Sequence, residues 1–355
     1  MRINNRIKYH KKRFWAGILL VQFFWFYLSS KVEFLVDFYG QFFEFQKPFH
    51  QSLFSFFPFS VGDIFYCLLG LMFTYLILKI IKKKTRNLHL RNLLILFNIL
   101  YFTYQIFWGM LYFKEPLIKQ FAEVENPQKG AERLALKYLN LCKQTRNLVT
   151  ENEKGVFAIK DLESIKNEII KRQSQLPKFV GVGKTTGINS LKSSQFKSVM
   201  SYSGILGYYN PFTAEAQYNS QLPSTYIPFT LAHESMHQFG IAREQEANFT
   251  AYLIGKNSEN ASLRYSTEYF VLKSLLNSLI EKNPEFVKTI LQNYSPAMKK
   301  DRDAEIDFRE KHKGIVDEFF GITNDLFLKS NQQDGSITYS YFVDLLIRYE
   351  NKEGL

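Results

Sequence analysis

Apolar residues crowd into three runs within the first third of the chain. The first, Phe14 to Ser30, has Gln22 as its one strongly polar member and is about the minimum length that spans a hydrocarbon core. The second runs from Val61 to Ile81 and the third from Leu93 to Phe113. The pattern predicts three transmembrane helices, about 14–30, 61–81 and 93–113, and so a membrane domain over 1–113. A cleaved leader is the competing explanation of the first run, but Phe26-Tyr27-Leu28-Ser29-Ser30 is too bulky for a cleavage site, which favours an anchor. Between the first two runs stand Phe34, Phe38, Phe42, Phe43, Phe45, Phe49, Phe54, Phe56, Phe57 and Phe59. Polar residues interrupt them too often for a spanning helix. Aromatic side chains favour the bilayer interface, so an extracytoplasmic loop lying on the membrane is expected here. Trp108, Tyr112 and Phe113 read as an aromatic belt where the third run leaves the bilayer.

From Lys114 the pattern becomes that of a globular, mostly helical domain over 114–355. Helical spacing covers Glu132–Leu148 and Leu162–Gln173, separated by a turn at Glu151–Gly155. Residues 178–222 carry β-branched, Gly, Asn, Pro and Ser signals that suggest a small sheet. Helices are expected again from about Pro228, then over Arg243–Ile254, Ser262–Glu281, Pro284–Tyr294 and Asp301–Phe320. A last one follows the turn Asn331–Gly335. The fold class expected is mainly α: three N-terminal transmembrane helices, then a helical zincin-like domain with a small β-sheet.

Charge adds an orientation. An overall apolar content of 46% with slightly negative mean hydropathy would pass for a soluble protein, but the basic residues flank the apolar runs. Arg2, Arg6, Lys8, Lys11, Lys12 and Arg13 precede the first; Lys79, Lys82, Lys83, Lys84, Arg86 and Arg91 lie around the second-to-third connection. Together they equal the whole formal net charge of +12. Basic flanks mark the cytoplasmic side, so the N-terminus is expected in the cytoplasm and the domain from residue 114 outside it, on a bacterial inner (cell) membrane. The same distribution argues against nucleic acid as a partner. Cys67 and Cys142 read as unpaired thiols.

Candidate chemistry is concentrated in His233-Glu234-Ser235-Met236-His237, an HExxH pattern in a chain with only 6 histidines. On a helix the two imidazoles lie one turn apart on one face, able to grip a single Zn2+, with Glu234 beside it as general base. A third protein ligand would leave the fourth position for water. The metzincin pattern is met as far as Gly240, but its last histidine would fall at Arg243, so an acidic ligand is required. Gly240 suits the left-handed end of a first helix, after which a second would start near Arg243 and pack back. Glu244 in its first turn is the favoured ligand and Glu246 the alternative. They point about 200° apart on an ideal helix, so the two do not ligate together. Asn248, one turn beyond Glu244, is a candidate to orient a ligand histidine. Tyr208, Tyr209 and Asn210 are candidate substrate contacts, because Gly207–Tyr218 reads as an edge strand able to pair with an extended peptide. Tyr339 and His312 are further candidate donors, although the charged surroundings of His312 suggest a solvated side chain. Gly181-Val182-Gly183-Lys184-Thr185 imitates a phosphate-binding loop, but Lys178 stands where that loop needs its first glycine, so a turn is expected.

Glu244-Gln245-Glu246-Ala247-Asn248 resembles the ExxA(D/N) element of gluzincin membrane proteases, such as the CAAX prenyl protease and heat-shock membrane protease families. That resemblance implies Glu244 as third ligand, with Asn248 replacing an aspartate and a shorter gap than in those families. More of the chain resembles a bacterial family of three-pass membrane proteins, domain of unknown function 3810. The similarity rests on Pro58-Phe59-Ser60-Val61-Gly62-Asp63, Trp108-Gly109-Met110-Leu111-Tyr112, Gly207-Tyr208-Tyr209-Asn210-Pro211-Phe212-Thr213, the HExxH stretch, and Asp334-Gly335 with Tyr339. It implies a zinc metallopeptidase in a bacterial membrane. The function expected is therefore a membrane-anchored, zinc-dependent endopeptidase acting on a peptide or protein substrate. The alternative is a non-catalytic, zinc-stabilised membrane sensor or binding protein.

Overall fold

A computed structural model of the chain describes residues 11–353 apart from 182, 184 and 315–339. Arg2, Arg6, Lys8, the expected turn at Asn331–Gly335, Tyr339 and the end of the helix expected over Asp301–Phe320 therefore lie outside the described residues. The chain is mainly helical with one small sheet of three strands, and forms two compact units. Unit 1 is Met1–Lys114 with Asn210–Ala214; unit 2 is Glu115–Tyr209 with Glu215–Leu355.

Unit 1 contains α1 (Lys12–Ser29), α2 (Glu33–Ser55), α3 (Val61–Ile81) and α4 (Arg86–Phe107). Among the described residues, only α3 and α4 are by themselves long and apolar enough to cross a membrane; α1 qualifies only together with α2, from which it is bent by 104°. The three separate spans expected from the sequence thus become two, or three if the bent pair counts as one. Ser60 caps α3 by accepting from the Asp63 N–H at 3.1 Å. Asn98 ties α4 to α1, donating to the Trp15 carbonyl at 3.0 Å and accepting from Gln22 at 3.2 Å. Such side-chain bonds hold apolar helices where hydrophobic contrast between them is small.

Three expectations for this unit are corrected. The Phe-rich stretch, expected as a loop lying on the membrane, is a 23-residue helix, α2. Its interrupting polar residues include Lys47 and Gln51, which lie on the buried face with Val36, Tyr39 and Phe43. The third apolar run also starts its helix earlier and ends it sooner, at Phe107, where Trp108 leaves helical geometry (φ −149°, ψ −55°) and a 3₁₀ turn covers Gly109–Phe113. Trp108 and Tyr112 are buried at 4% and 3% exposure and face each other, so they do not form a belt against headgroups.

Unit 2 comprises α5 (Pro127–Arg146), α6 (Leu162–Gln173), β1 (Leu191–Ser193), α7 (Lys197–Tyr202), β2 (Gly207–Asn210), β3 (Glu215–Tyr218), α8 (Ile227–Phe239), α9 (Glu244–Gly255), α10 (Ala261–Leu279), α11 (Pro284–Gln292), α12 (Pro296–His312) and α13 (Ser340–Lys352). Asn210, the last residue of β2, groups with unit 1. Side-chain caps from Asn126, Asp161, Asn260, Asn283 and Ser295 start α5, α6, α10, α11 and α12. In the sheet β3 lies between β1 and β2, with β1 parallel to β3 in the register Leu191↔Ala216 and Ser193↔Tyr218. The edge strand expected over Gly207–Tyr218 is therefore β2 alone; β3 is central.

Helix α8 is the middle of the core. Every residue of it is buried except His233, an all-round burial reserved for a helix surrounded by others. Leu231, Ala232 and Met236 pack with Leu263, Leu272 and Phe249 in one apolar cluster, each large side chain contributing about 1.5–3 kcal/mol. The remaining polar interior is tied by ion pairs. Asp301 on α12 takes the Nε–H of Arg146 at 2.5 Å, the Tyr265 hydroxyl at 2.7 Å and the Phe157 N–H at 2.8 Å, joining α12 to α5, α10 and the turn after α5. Cys67 and Cys142 are both free. Gly181 adopts a left-handed conformation (φ +66°), as suits the turn expected in place of a phosphate loop.

Candidate metal centre

The local sequence explains how the site is assembled. Helix α8 ends at Gly240, whose φ of +112° is the left-handed conformation that only glycine enters without strain. The Gly240 and Ile241 N–H groups both return to the Met236 carbonyl, at 3.2 and 3.0 Å, closing the helix and reversing the chain. Three residues later Arg243 is the N-cap of α9, so Glu244 is its first residue. This places a carboxylate opposite the last turn of α8.

Three side chains converge there. His233 Nε2 and His237 Nε2 are 3.1 Å apart; Glu244 Oε2 is 3.2 Å from the first and Glu244 Oε1 3.4 Å from the second. Among the described residues this is the one cluster of three potential metal-ligating groups. Donors about 2.0–2.1 Å from a tetrahedral zinc would be roughly 3.3 Å from one another, so the spacing fits that ion. The donor chemistry fits as well. His237 Nδ1 lies 2.7 Å from the Ile241 carbonyl, which can only accept, so in the neutral imidazole Nδ1 carries the proton and Nε2, facing His233 and Glu244, is the nitrogen a metal could take.

The electrostatics are those of a buried, mutually compensating cluster. Burial opposes charge on His237, but the neighbouring Glu244 carboxylate outweighs it and holds the imidazole up at about 9. Burial would raise Glu244, yet His237 and His233 hold its carboxyl far below the ordinary range. Glu234 is pushed up to about 7, by burial first, with both imidazoles pulling the other way and Glu244 adding to the rise. Its Oε2 is buried and has no hydrogen-bond partner among the described residues.

Glu246 is occupied elsewhere: its Oε1 accepts the N–H of Leu117 at 2.8 Å. Asn248 is buried in α9, but it does not orient the histidines. The Ile241 carbonyl holds His237, and His233 Nδ1 is buried without a partner. Tyr208 and Tyr209 are half-buried on β2, whereas Asn210 is fully buried and accepts the Phe212 N–H at 2.9 Å, forming a turn and not a ligand surface. His312 is not simply solvated. Its Nδ1 bonds the Phe308 carbonyl at 2.7 Å and its ring packs on Tyr202 and Phe308.

One residue escaped the sequence reading as an individual position. Gly207, the first residue of β2, lies so close to Glu234 that a Cβ there would sit 2.7 Å from both Glu234 Cγ and Oε1, and 2.8 Å from the Gln217 carbonyl. Gly207→Ala is expected to displace the Glu234 carboxyl, because the Gln217 backbone cannot yield. The expected result is a stability loss of about 1–3 kcal/mol. A thermal melt beside the parent chain checks it.

No curated protein and no solved structure matches the chain. Residues 38–347, which take in α3, α4, the sheet and all of His233, His237 and Glu244, match the family described as "Protein of unknown function (DUF3810)", and the chain belongs to that family.

Proposed function

We propose that this protein is a membrane-anchored zinc metallopeptidase. The observation that carries the proposal is the convergence of His233, His237 and Glu244 at 3.1–3.4 Å beside the partnerless carboxyl oxygen of Glu234. Zinc held by such a set supplies a Lewis acid for a peptide carbonyl and acidifies water towards neutrality. Glu234 Oε2 takes a proton from the attacking water and later returns it to the leaving amine. His237 is kept in the ligating tautomer by the Ile241 carbonyl, and Gly207 leaves room for the Glu234 side chain.

The membrane half of the reading has its own support. Lys12 Nζ bonds Asn87 Oδ1 at 3.2 Å, which brings the basic start of α1 to the basic start of α4. The described members of both clusters then lie at one end of the bundle, assigned to the cytoplasm by the positive-inside rule, and the chain beyond α4 lies outside it.

Purified full-length protein is expected to cleave an unfolded polypeptide such as reduced casein, to lose that activity on treatment with 1,10-phenanthroline, and to regain it with added Zn2+. Cleavage that survives chelation would contradict the proposal. Absence of cleavage by zinc-loaded protein would transfer the site to the sensor or binding reading.

A further inference from the structure

Helix α2 has two faces of different purpose. Val36, Tyr39, Phe43, Lys47 and Gln51 recur every three or four residues and are buried. Val36 and Tyr39 join Phe26 of α1 and Met110 in one cluster. On the opposite side Phe34, Phe38, Phe45 and Phe49, with Phe56 at the C-cap just past the helix, are 55–88% exposed. On an ideal helix these five fall within an arc of about 60°. Such a stripe of large aromatics on an otherwise well-packed helix needs an apolar partner.

The position of α2 identifies the partner. Helices α1 and α4 run in the same direction, from the Lys12–Asn87 bond at one end to Phe23 stacked on Tyr101 (4.2 Å) and Phe26 edge-on to Tyr101 near the other. Helix α2 begins at that second end and is turned 104° from α1. It thus crosses the bundle at the level where α1 and α4 finish, close to perpendicular to them. The spans α3 and α4, of 21 and 22 residues, are about 32 Å long, the thickness of a hydrocarbon core. A helix across their ends is at the depth of the lipid headgroups, the level that aromatic side chains favour.

We propose that α2 is an in-plane interfacial helix whose phenylalanine stripe is seated in the phospholipid bilayer at the headgroup–acyl boundary. This rests on the membrane half of the function proposed above and is independent of zinc. It also explains the composition: the exposed face is aromatic, while the charges Glu33 and Asp37 lie off the stripe and remain hydrated.

The test is a set of single nitroxide labels on the full chain in phosphatidylcholine vesicles. They are placed at cysteines replacing Phe38, Phe45 or Phe49, in a Cys67→Ser background with buried Cys142 retained. Relative exposure to oxygen and to a water-soluble nickel chelate reads depth, and a label at Leu71 in α3 serves as the deep control. The expected result is one shared depth for the three stripe positions, about 5–10 Å below the headgroups, with Leu71 deeper. Three outcomes would overturn the proposal while Leu71 still reads deep. One is a gradient of depth from 38 to 49, as in a re-entrant or spanning helix, for which about 16 Å is expected at 1.5 Å per residue. Another is stripe labels open to the chelate. The third is stripe labels shielded from both reagents, as by a second copy of the chain. If Leu71 itself is open to the chelate, the membrane reading fails with it.

Discussion

Glu234→Gln is expected to abolish peptide hydrolysis while leaving about one zinc per chain in place. The amide keeps the size and burial of the side chain, and Glu234 is not among the three converging ligands, so neither the fold nor the metal set is touched. What is lost is the group that takes and returns the proton, a contribution of about 10²–10⁴ in rate. The variant also removes a carboxyl that sits unpartnered at Oε2 in the interior, so its thermal stability should equal or exceed that of the parent. Turnover of a fluorogenic unfolded substrate, read beside zinc content, checks both halves. Undiminished cleavage by Glu234→Gln would show that another group is the base.

The second large effect is structural. Asp301→Ala is expected to cost about 3–5 kcal/mol, because it strands the Arg146 guanidinium, only 1% exposed, with Glu151 as its one remaining acidic partner among the described residues. It also leaves the Tyr265 hydroxyl and the Phe157 N–H without their acceptor. A loss of that size is a large fraction of the usual 5–15 kcal/mol that separates folded from unfolded domains. Glu151→Ala is the matched control. Its carboxylate is 46% exposed and pairs with the same arginine from outside, so less than about 1 kcal/mol is expected. Thermal melts of the two variants in one detergent check the contrast, and equal melting temperatures would contradict it.

The parts of the centre that sequence reveals are the local ones. The i,i+4 histidines, the glycine that ends α8 and the carboxylate in the first turn of α9 lie within twelve residues, and each follows from helix geometry or backbone chirality. The choice between Glu244 and Glu246 is not local. Both stand in the same first turn, and what separates them is the Leu117 N–H, 129 residues earlier, that engages Glu246. Asn248 shows the limit of analogy in the same way, since a backbone carbonyl at Ile241 does the orienting, and a backbone atom leaves no mark in a motif. Gly207 stood inside a segment quoted for family resemblance, but its meaning needed the Glu234 side chain beside it.

In the first unit, the two faces of α2 are legible in the sequence: Phe34, Phe38, Phe45 and Phe49 recur four or seven residues apart on one side, and Val36, Tyr39, Phe43, Lys47 and Gln51 three or four apart on the other. As a spanning helix the stretch is ruled out by Glu44, Lys47 and Gln51. As an amphipathic helix those residues are no obstacle, because Lys47 reaches Glu44 at 2.9 Å within the protein. Trp108 and Tyr112 illustrate the converse. Aromatic residues at the end of an apolar run suit an interface or an interior equally, and only packing against Phe43 decides.

Metal analysis of the purified full-length chain tests the central claim most directly, with circular dichroism confirming that each variant is folded. About one zinc per chain is predicted, lost or strongly weakened in His233→Ala and Glu244→Ala and retained in Glu246→Ala. Folded protein that binds no zinc after reconstitution, or that loses it in Glu246→Ala while keeping it in Glu244→Ala, would contradict the account.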